Sequence, residues 1–195
     1  MNSPQIKSEQ LYTYEDYCNW PEDEHWELID GVAYPLHGEM HAAPTRTHQD
    51  VVVQLLVQIA NYLKGKPCKV YVAPFDVRFS TKNQKNDLKN TVVQPDIAII
   101  CDQEKLDEKG CNGAPDWIIE VLSPKTASKD HLKKRALYEE QGVKEYWLVH
   151  PVDHLLTIYR YEQNHYCAAQ ILETSGETFS YLFPDFAIQW ADVFN

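Results

Sequence analysis

The chain has 195 residues, 44% hydrophobic and 12% aromatic, with 18 Lys and Arg against 29 Asp and Glu, a formal net charge of −11. That composition describes one folded domain, residues 1–195, able to bury a full core without a disulfide or structural metal. It excludes a generally basic nucleic-acid binder, whose affinity comes from neutralising phosphates. No apolar stretch approaches the roughly 18 residues of a membrane span, and the N-terminus lacks the pattern of a signal peptide. A cytoplasmic location without membrane contact is therefore expected. Five scattered cysteines without metal-ligand spacing read as reduced thiols.

The charge is unevenly placed. Residues 1–40 hold one base and nine acids, residues 162–195 no base and five acids, and the middle of the chain 17 bases against 15 acids. In chain order, Thr13 and Asp16 form a capping box that opens a short helix, and WELIDG (26–31) reads as a strand ending in a turn. From Thr47, the apolar residues Val52, Leu55, Leu56, Ile59, Tyr62 and Leu63 recur at helical spacing, with Thr47 and Asp50 as caps and Gly65 beyond the end. KVYVAPFDVRF (69–79) predicts one strand, and the lysine-rich STKNQKNDLKNT a loop. Ile97–Cys101 and Trp117–Leu122 are unbroken apolar runs of the kind found in strands covered on both faces, joined by a charged connection. A second helix is expected from Asp130 to Gln141, then strands at 146–150, 155–161 and 165–173. The result is an α/β domain with a mixed sheet flanked by helices, in the order αβββαβ, with extra C-terminal strands.

Within this pattern Glu120 is anomalous, because it lies inside the apolar run WIIEVL. A buried carboxylate without a partner costs several kcal/mol, so it needs a cation, a backbone donor cluster or a metal ion. Asp96 follows Pro95 at the start of the neighbouring strand, where its carboxylate can converge with that of Glu120. Two such carboxylates repel unless a cation or a proton lies between them, and hard oxygen ligands suit Mg²⁺ or Mn²⁺. Segment 123–135 carries five bases, Lys125, Lys129, Lys133, Lys134 and Arg135, against the single acid Asp130. Each is either a solvated basic residue or a cation aimed at the carboxylates. Glu27, flanked by Trp26 and Leu28, and His48, in the first turn of the long helix, are weaker candidates. Asp76 is an interior acid or the partner of Arg78, and Asp116 reads as a turn residue. Tyr138, Tyr146, Trp147, Tyr159 and Tyr161 read as packing residues.

Taken with TYEDY, WELIDG, THQDVV, PFDVRFS, QPDIAII, the long run from GAPDWIIEVLSPK to KEYWLV, and LFPDF, the sequence resembles the Uma family of restriction-endonuclease-like proteins, within the PD-(D/E)XK nuclease superfamily. The order and spacing of these motifs over nearly the whole chain make the likeness specific. It implies a restriction-endonuclease-like fold and a Mg²⁺- or Mn²⁺-dependent hydrolase acting on phosphodiester bonds, with Asp96 and Glu120 as metal ligands and the Val121 carbonyl completing the shell. The superfamily's lysine two residues after the glutamate is replaced here by Leu122, and the likeness places it instead at Lys134, on the following helix. Catalysis is thus expected from Asp96, Glu120 and Lys134, accessory roles from Glu27, His48 and Asp76, and nucleic-acid contacts from Lys125, Lys129, Lys133 and Arg135. DNA is the expected partner, and a homo-oligomer, in the first instance a dimer, is left open. The competing expectation is an inactive nuclease-like fold that binds nucleic acid or another protein.

Overall fold

The computed structural model describes residues 10–21, 24–36, 43–79, 90–123 and 128–194. Helix α1 (Tyr14–Cys18) opens on the expected capping box: Asp16 N donates to Thr13 Oγ1 and Thr13 N to Asp16 Oδ2. Strands β1 (Trp26–Ile29) and β2 (Val32–Pro35) form a hairpin through Asp30 and Gly31, both at positive φ, as a two-residue turn of this hand requires. Helix α2 (Arg46–Leu63) buries Val51, Val52, Leu55, Ile59 and Leu63 along one stripe. Its N-cap is Thr45, whose hydroxyl accepts from His48 N. Thr47 and Asp50 lie inside the helix, with Asp50 paired to Arg46, so the N-cap falls two residues before the expected Thr47.

The segment expected as one strand over 69–79 is two, β3 (Lys69–Val72) and β4 (Val77–Phe79), which belong to different sheets and are separated by the cis Ala73–Pro74 bond. Proline offers no N–H to a ladder, so continuous pairing ends there. The lysine-rich loop falls largely outside the described residues. After it come β5 (Thr91–Val93) and β6 (Ile97–Ile100). The charged connection holds a 3₁₀ turn (Gln103–Lys105) and a tight hairpin, β7 (Leu106–Asp107) with β8 (Gly110–Asn112). Strand β9 (Trp117–Val121) follows. A π-helical turn (Lys129–Lys134) then runs into α3 (Arg135–Gln141), which stops at Gly142 in the left-handed conformation. Strands β10 (Glu145–His150) and β11 (Leu155–Glu162) come next. The expected strand over 165–173 is interrupted, giving β12 (His165–Tyr166) and β13 (Gln170–Glu173). The hairpin β14 (Glu177–Phe179) and β15 (Ala187–Gln189) precedes α4 (Trp190–Val193).

Two mixed sheets result. One has the order β2-β1-β5-β4-β8-β7; the other runs β12-β11-β10-β9-β6-β3, with β13 also on β11. Strands of the first sheet interrupt the second in the chain, so the simple αβββαβ order describes only α2, β3, β6, β9, α3 and β10. Alternation along β6 and β9 divides the core. Ile97, Ile99, Trp117, Ile119 and Val121 pack with α2 and the C-terminal Phe186, Ile188 and Trp190. Ala98, Ile100 and Ile118 pack with Leu137 and Tyr138 of α3 and with Val77, Phe79 and Val93 of the other sheet. Glu120 has the parity of Ile118, so it points between the sheets, toward α3.

The expectation of reduced thiols fails for one pair. Cys68 and Cys101 form a disulfide. Lys69 faces Ile100 across the antiparallel β3–β6 ladder, so the next pair outward, Cys68 and Cys101, is brought face to face by register alone. Two residues 33 apart in sequence gave no sign of this.

Candidate active site

Strands β6 and β9 are antiparallel with Ile97 opposite Ile119, which sets Asp96 opposite Glu120 on the face toward α3. Asp96 N donates to Glu120 Oε2 at 3.4 Å, and Asp96 Oδ2 accepts from Val121 N at 2.7 Å. The two carboxylates therefore meet through the backbone of each other's strands. Lys134 is buried and its ammonium lies 2.8 Å from both Glu120 Oε1 and Glu27 Oε1, with Asp130 Oδ1 at 3.5 Å. The π-helical turn makes this possible, since it places Asp130 and Lys134 on the inward face together, and Tyr138, four residues on, adds a hydroxyl that donates to Glu120 Oε1 at 2.9 Å.

Glu27 comes from β1, at the junction of the two sheets. It is completely buried and takes Lys134, the Lys129 ammonium and the backbone N–H of Gln94. Burial opposes its ionisation, but the two lysines outweigh burial and hold its carboxyl down at about 2. Glu120 goes the other way. Burial is the largest influence and, with the charges of Asp130, Asp96 and Glu27, outweighs the attraction of Lys134, pushing the carboxyl up to about 8. His48, at the start of α2, sets Nε2 3.3 Å from Asp96 Oδ2. Burial pulls this imidazole down, but Asp96 and the Val121 carbonyl win and favour imidazolium, while Nδ1 is buried with no hydrogen-bond partner.

The structure thus brings together Asp96, Glu120, Lys134, Glu27 and His48, five residues named from the sequence. Asp76 lies apart, accepting from Tyr17 Oη and Gln94 Nε2, and it does not pair with Arg78, which binds Asp107 instead. Of the basic residues, Lys129 is engaged by Glu27. Lys133 is exposed, 5.1 Å over the Tyr34 ring, and Arg135 pairs with Glu139. Lys125 lies outside the described residues. Asp130 and Tyr138 were missed as members of the cluster. The only sequence signal for them is the spacing of four that links Asp130, Lys134 and Tyr138, and it is shared by any helical core face. Asp116, read as a turn residue, is buried and accepts from Cys101 N and the Lys144 ammonium.

The profile of a family described as "Putative restriction endonuclease", Uma2, matches residues 13–191. The chain belongs to the Uma2 family. Over 137 residues it is 26% identical to an uncharacterized protein of Synechocystis sp.; the match covers 69% of this chain and spans 66% of that relative's length. Its fold is similar to that of a crystal structure from Anabaena variabilis described as "a putative nuclease", with a TM-score of 0.71 at 19% identity, over 93% of this chain and 97% of that one.

The donor set of this Uma2 member suits a divalent cation. Four carboxylates, Glu27, Asp96, Glu120 and Asp130, meet two lysines and the His48 imidazole, and the crowding of acids helps to raise the Glu120 carboxyl. No described residue donates to Asp96 Oδ1, which leaves one hard oxygen open. Among the described residues no group of three or more His, Cys, Asp and Glu side chains is arranged to hold a metal. Asp96 and Glu120 are the carboxylates of the cluster that could contribute to a site for a hard cation such as Mg²⁺, which keeps several waters of its own.

Proposed function

We propose that this chain is a Mg²⁺- or Mn²⁺-dependent endonuclease that hydrolyses phosphodiester bonds in DNA. The observation that supports it is the cross-strand pair Asp96 and Glu120 with the Lys134 ammonium 2.8 Å from Glu120, inside a cluster of four carboxylates. Asp96 and Glu120 would hold the cation, and the Val121 carbonyl would be a further oxygen ligand. When bound, the cation supplies Lewis acidity toward a phosphate oxygen and lowers the pKa of water.

The protein's own groups do the rest. Lys134 has three N–H donors: two are committed to Glu27 and Glu120 and fix the ammonium, and the third faces Asp130 at the longer distance of 3.5 Å, from which it would turn to orient the attacking water or to meet charge developing on the phosphate. Glu27 and Tyr138 are positioning residues, acting on the reaction through Lys134 and Glu120. His48 steadies Asp96 in the same way. Lys133 and Arg135, on the same segment, would meet backbone phosphates, Arg135 by leaving Glu139, whereas Lys129 is committed to Glu27.

The test is cleavage of plasmid and single-stranded DNA with Mg²⁺ or Mn²⁺ by wild type, Glu120→Ala and Lys134→Ala. Wild type is expected to cut, and each variant to lose at least about a hundredfold in rate. Purified protein that cuts nothing, or variants that cut equally well, overturn the proposal. Metal-independent, salt-sensitive DNA binding without cleavage would favour a binding module.

A further inference from the structure

Beside the carboxylate cluster, on the other side of Gln94, lies a cavity of about 590 Å³ between α1 and the strand ends. Tyr14, Tyr17 and Trp20 form its aromatic wall, Asp76 and Gln94 its polar floor and Lys109 its rim. We infer that this cavity receives a nucleobase displaced from its stack, held against its aromatic wall and read by Asp76, with guanine the best fit. The inference names a substrate subsite for the nuclease proposed above, and rests on that reading for its purpose.

Four observations carry it. First, the rings are half-buried and rigidly arranged: Tyr14 stacks on Tyr17 at 6.0 Å, and Tyr17 meets Trp20 edge to face at 5.3 Å. Aromatic faces that remain partly open are the usual platform for unpaired bases. Second, Asp76 is pre-oriented. Its Oδ1 accepts from Tyr17 Oη at 2.9 Å and from Gln94 Nε2 at 2.8 Å, while no described residue donates to Oδ2. That oxygen carries two lone pairs and no donor, so it can take two N–H groups set side by side. Adenine and cytosine each present one exocyclic amino group on the edge that pairs, whereas guanine presents N1–H and the N2 amino group side by side. Third, the cavity joins the cluster directly. Gln94 holds Asp76 with its side chain and Glu27 with its backbone N–H at 3.0 Å, two residues before Asp96. A base in the cavity therefore sets its own phosphate near the carboxylates. Fourth, aromatic rings with acids also suit a methylated ammonium, but the volume is several times that of such a group, and Lys109 at the rim repels a cation while suiting a phosphate.

The test uses the full chain in EDTA, so that it does not depend on cleavage. Tryptophan fluorescence is followed during titration with guanosine monophosphate, inosine monophosphate and cytidine monophosphate, and with single-stranded hexanucleotides that do or do not contain guanine. Saturable quenching is expected, with guanine preferred over inosine by about tenfold, since inosine lacks the N2 amino group. Asp76→Asn keeps the shape and the Oδ1 acceptor but turns the open oxygen into a donor, and is expected to abolish the guanine preference. Trp20→Leu is expected to weaken every ligand, with circular dichroism confirming the fold. Absence of saturable quenching, or a guanine preference unchanged in Asp76→Asn, overturns the inference. The two readings fail separately: base binding without any metal-dependent cleavage rejects the nuclease and keeps the subsite, whereas cleavage with an Asp76→Asn KM equal to that of wild type and no nucleotide binding rejects the subsite and keeps the nuclease.

Discussion

Lys134 is the residue on which the buried charges converge. Its ammonium faces Glu27, Glu120 and Asp130, all of them almost wholly excluded from water. Removing it leaves carboxylates buried with one fewer cation, so Lys134→Ala is expected to destabilise the protein by about 3–5 kcal/mol in urea unfolding as well as to stop cleavage. Tyr138→Phe removes only the hydroxyl that donates to Glu120 and keeps the ring packed against Phe79 and Tyr146; a smaller loss of about 2 kcal/mol is expected in the same measurement. The two acids predict opposite pH dependences. Glu27, held near 2 against an ordinary 4.5, contributes stability that is present above about pH 4.5 and lost as pH falls toward 2. Glu120, raised to about 8, contributes stability below about pH 4.5 that is lost as pH rises toward 8. In EDTA the unfolding free energy should therefore peak near pH 5. Urea titrations at pH 3, 5 and 8 check this, and a curve still rising from pH 5 to 8 would contradict it.

At the scale of elements, the site is a consequence of register and of one irregular turn. Antiparallel pairing of β6 with β9 sets Asp96 opposite Glu120, and a slip of one residue would turn Glu120 into the face packed on α2. The π-helical turn before α3 carries Asp130 and Lys134 to the same point. Asp76 depends on a different contact. Gly110, at φ +118 in the β7–β8 hairpin, lets its backbone pass so close to Asp76 that an added Cβ would lie 2.2 Å from the Asp76 carbonyl oxygen. Cys111 N also donates to that oxygen. Gly110→Ala is thus expected to push β8 away from β4 and lower the melting temperature by several degrees, with nucleotide quenching reduced more than metal-dependent cleavage; an unchanged melting temperature would refute the close approach.

For the whole molecule, the charge of −11 sets what binding can look like. The first 40 residues and the last 34 together carry more than the whole excess of acid, whereas residues 123–135 hold five bases against one acid. Nonspecific association with DNA should be weak, since few phosphates are neutralised. A cation in the cluster offsets part of the local negative charge. Mg²⁺ at ten times its dissociation constant would stabilise the folded state by about 1.4 kcal/mol, a rise of roughly 3–5 °C in melting temperature. Glu120→Gln should abolish that rise, and a thermal-shift titration with the variant alongside wild type decides it.

Much of this was legible before any coordinates. A carboxylate inside WIIEVL demands a partner whatever the fold, so Glu120 declared itself through the cost of burying charge, and the apolar runs 97–101 and 117–122 announced central strands. Lys134 was reached only through the family likeness, since five bases crowd one segment and local spacing does not choose among them. Tertiary structure alone decided which lysine turns inward, that Tyr138 serves Glu120 as well as the core, that 69–79 divides between two sheets, and that Cys68 meets Cys101. Each of these depends on register or on contacts between segments distant in the chain. Burial energetics and helical or strand periodicity act locally and are written in the sequence, whereas the meeting of side chains from β1, α2, β6, β9 and α3 at one point exists only once the two sheets have packed.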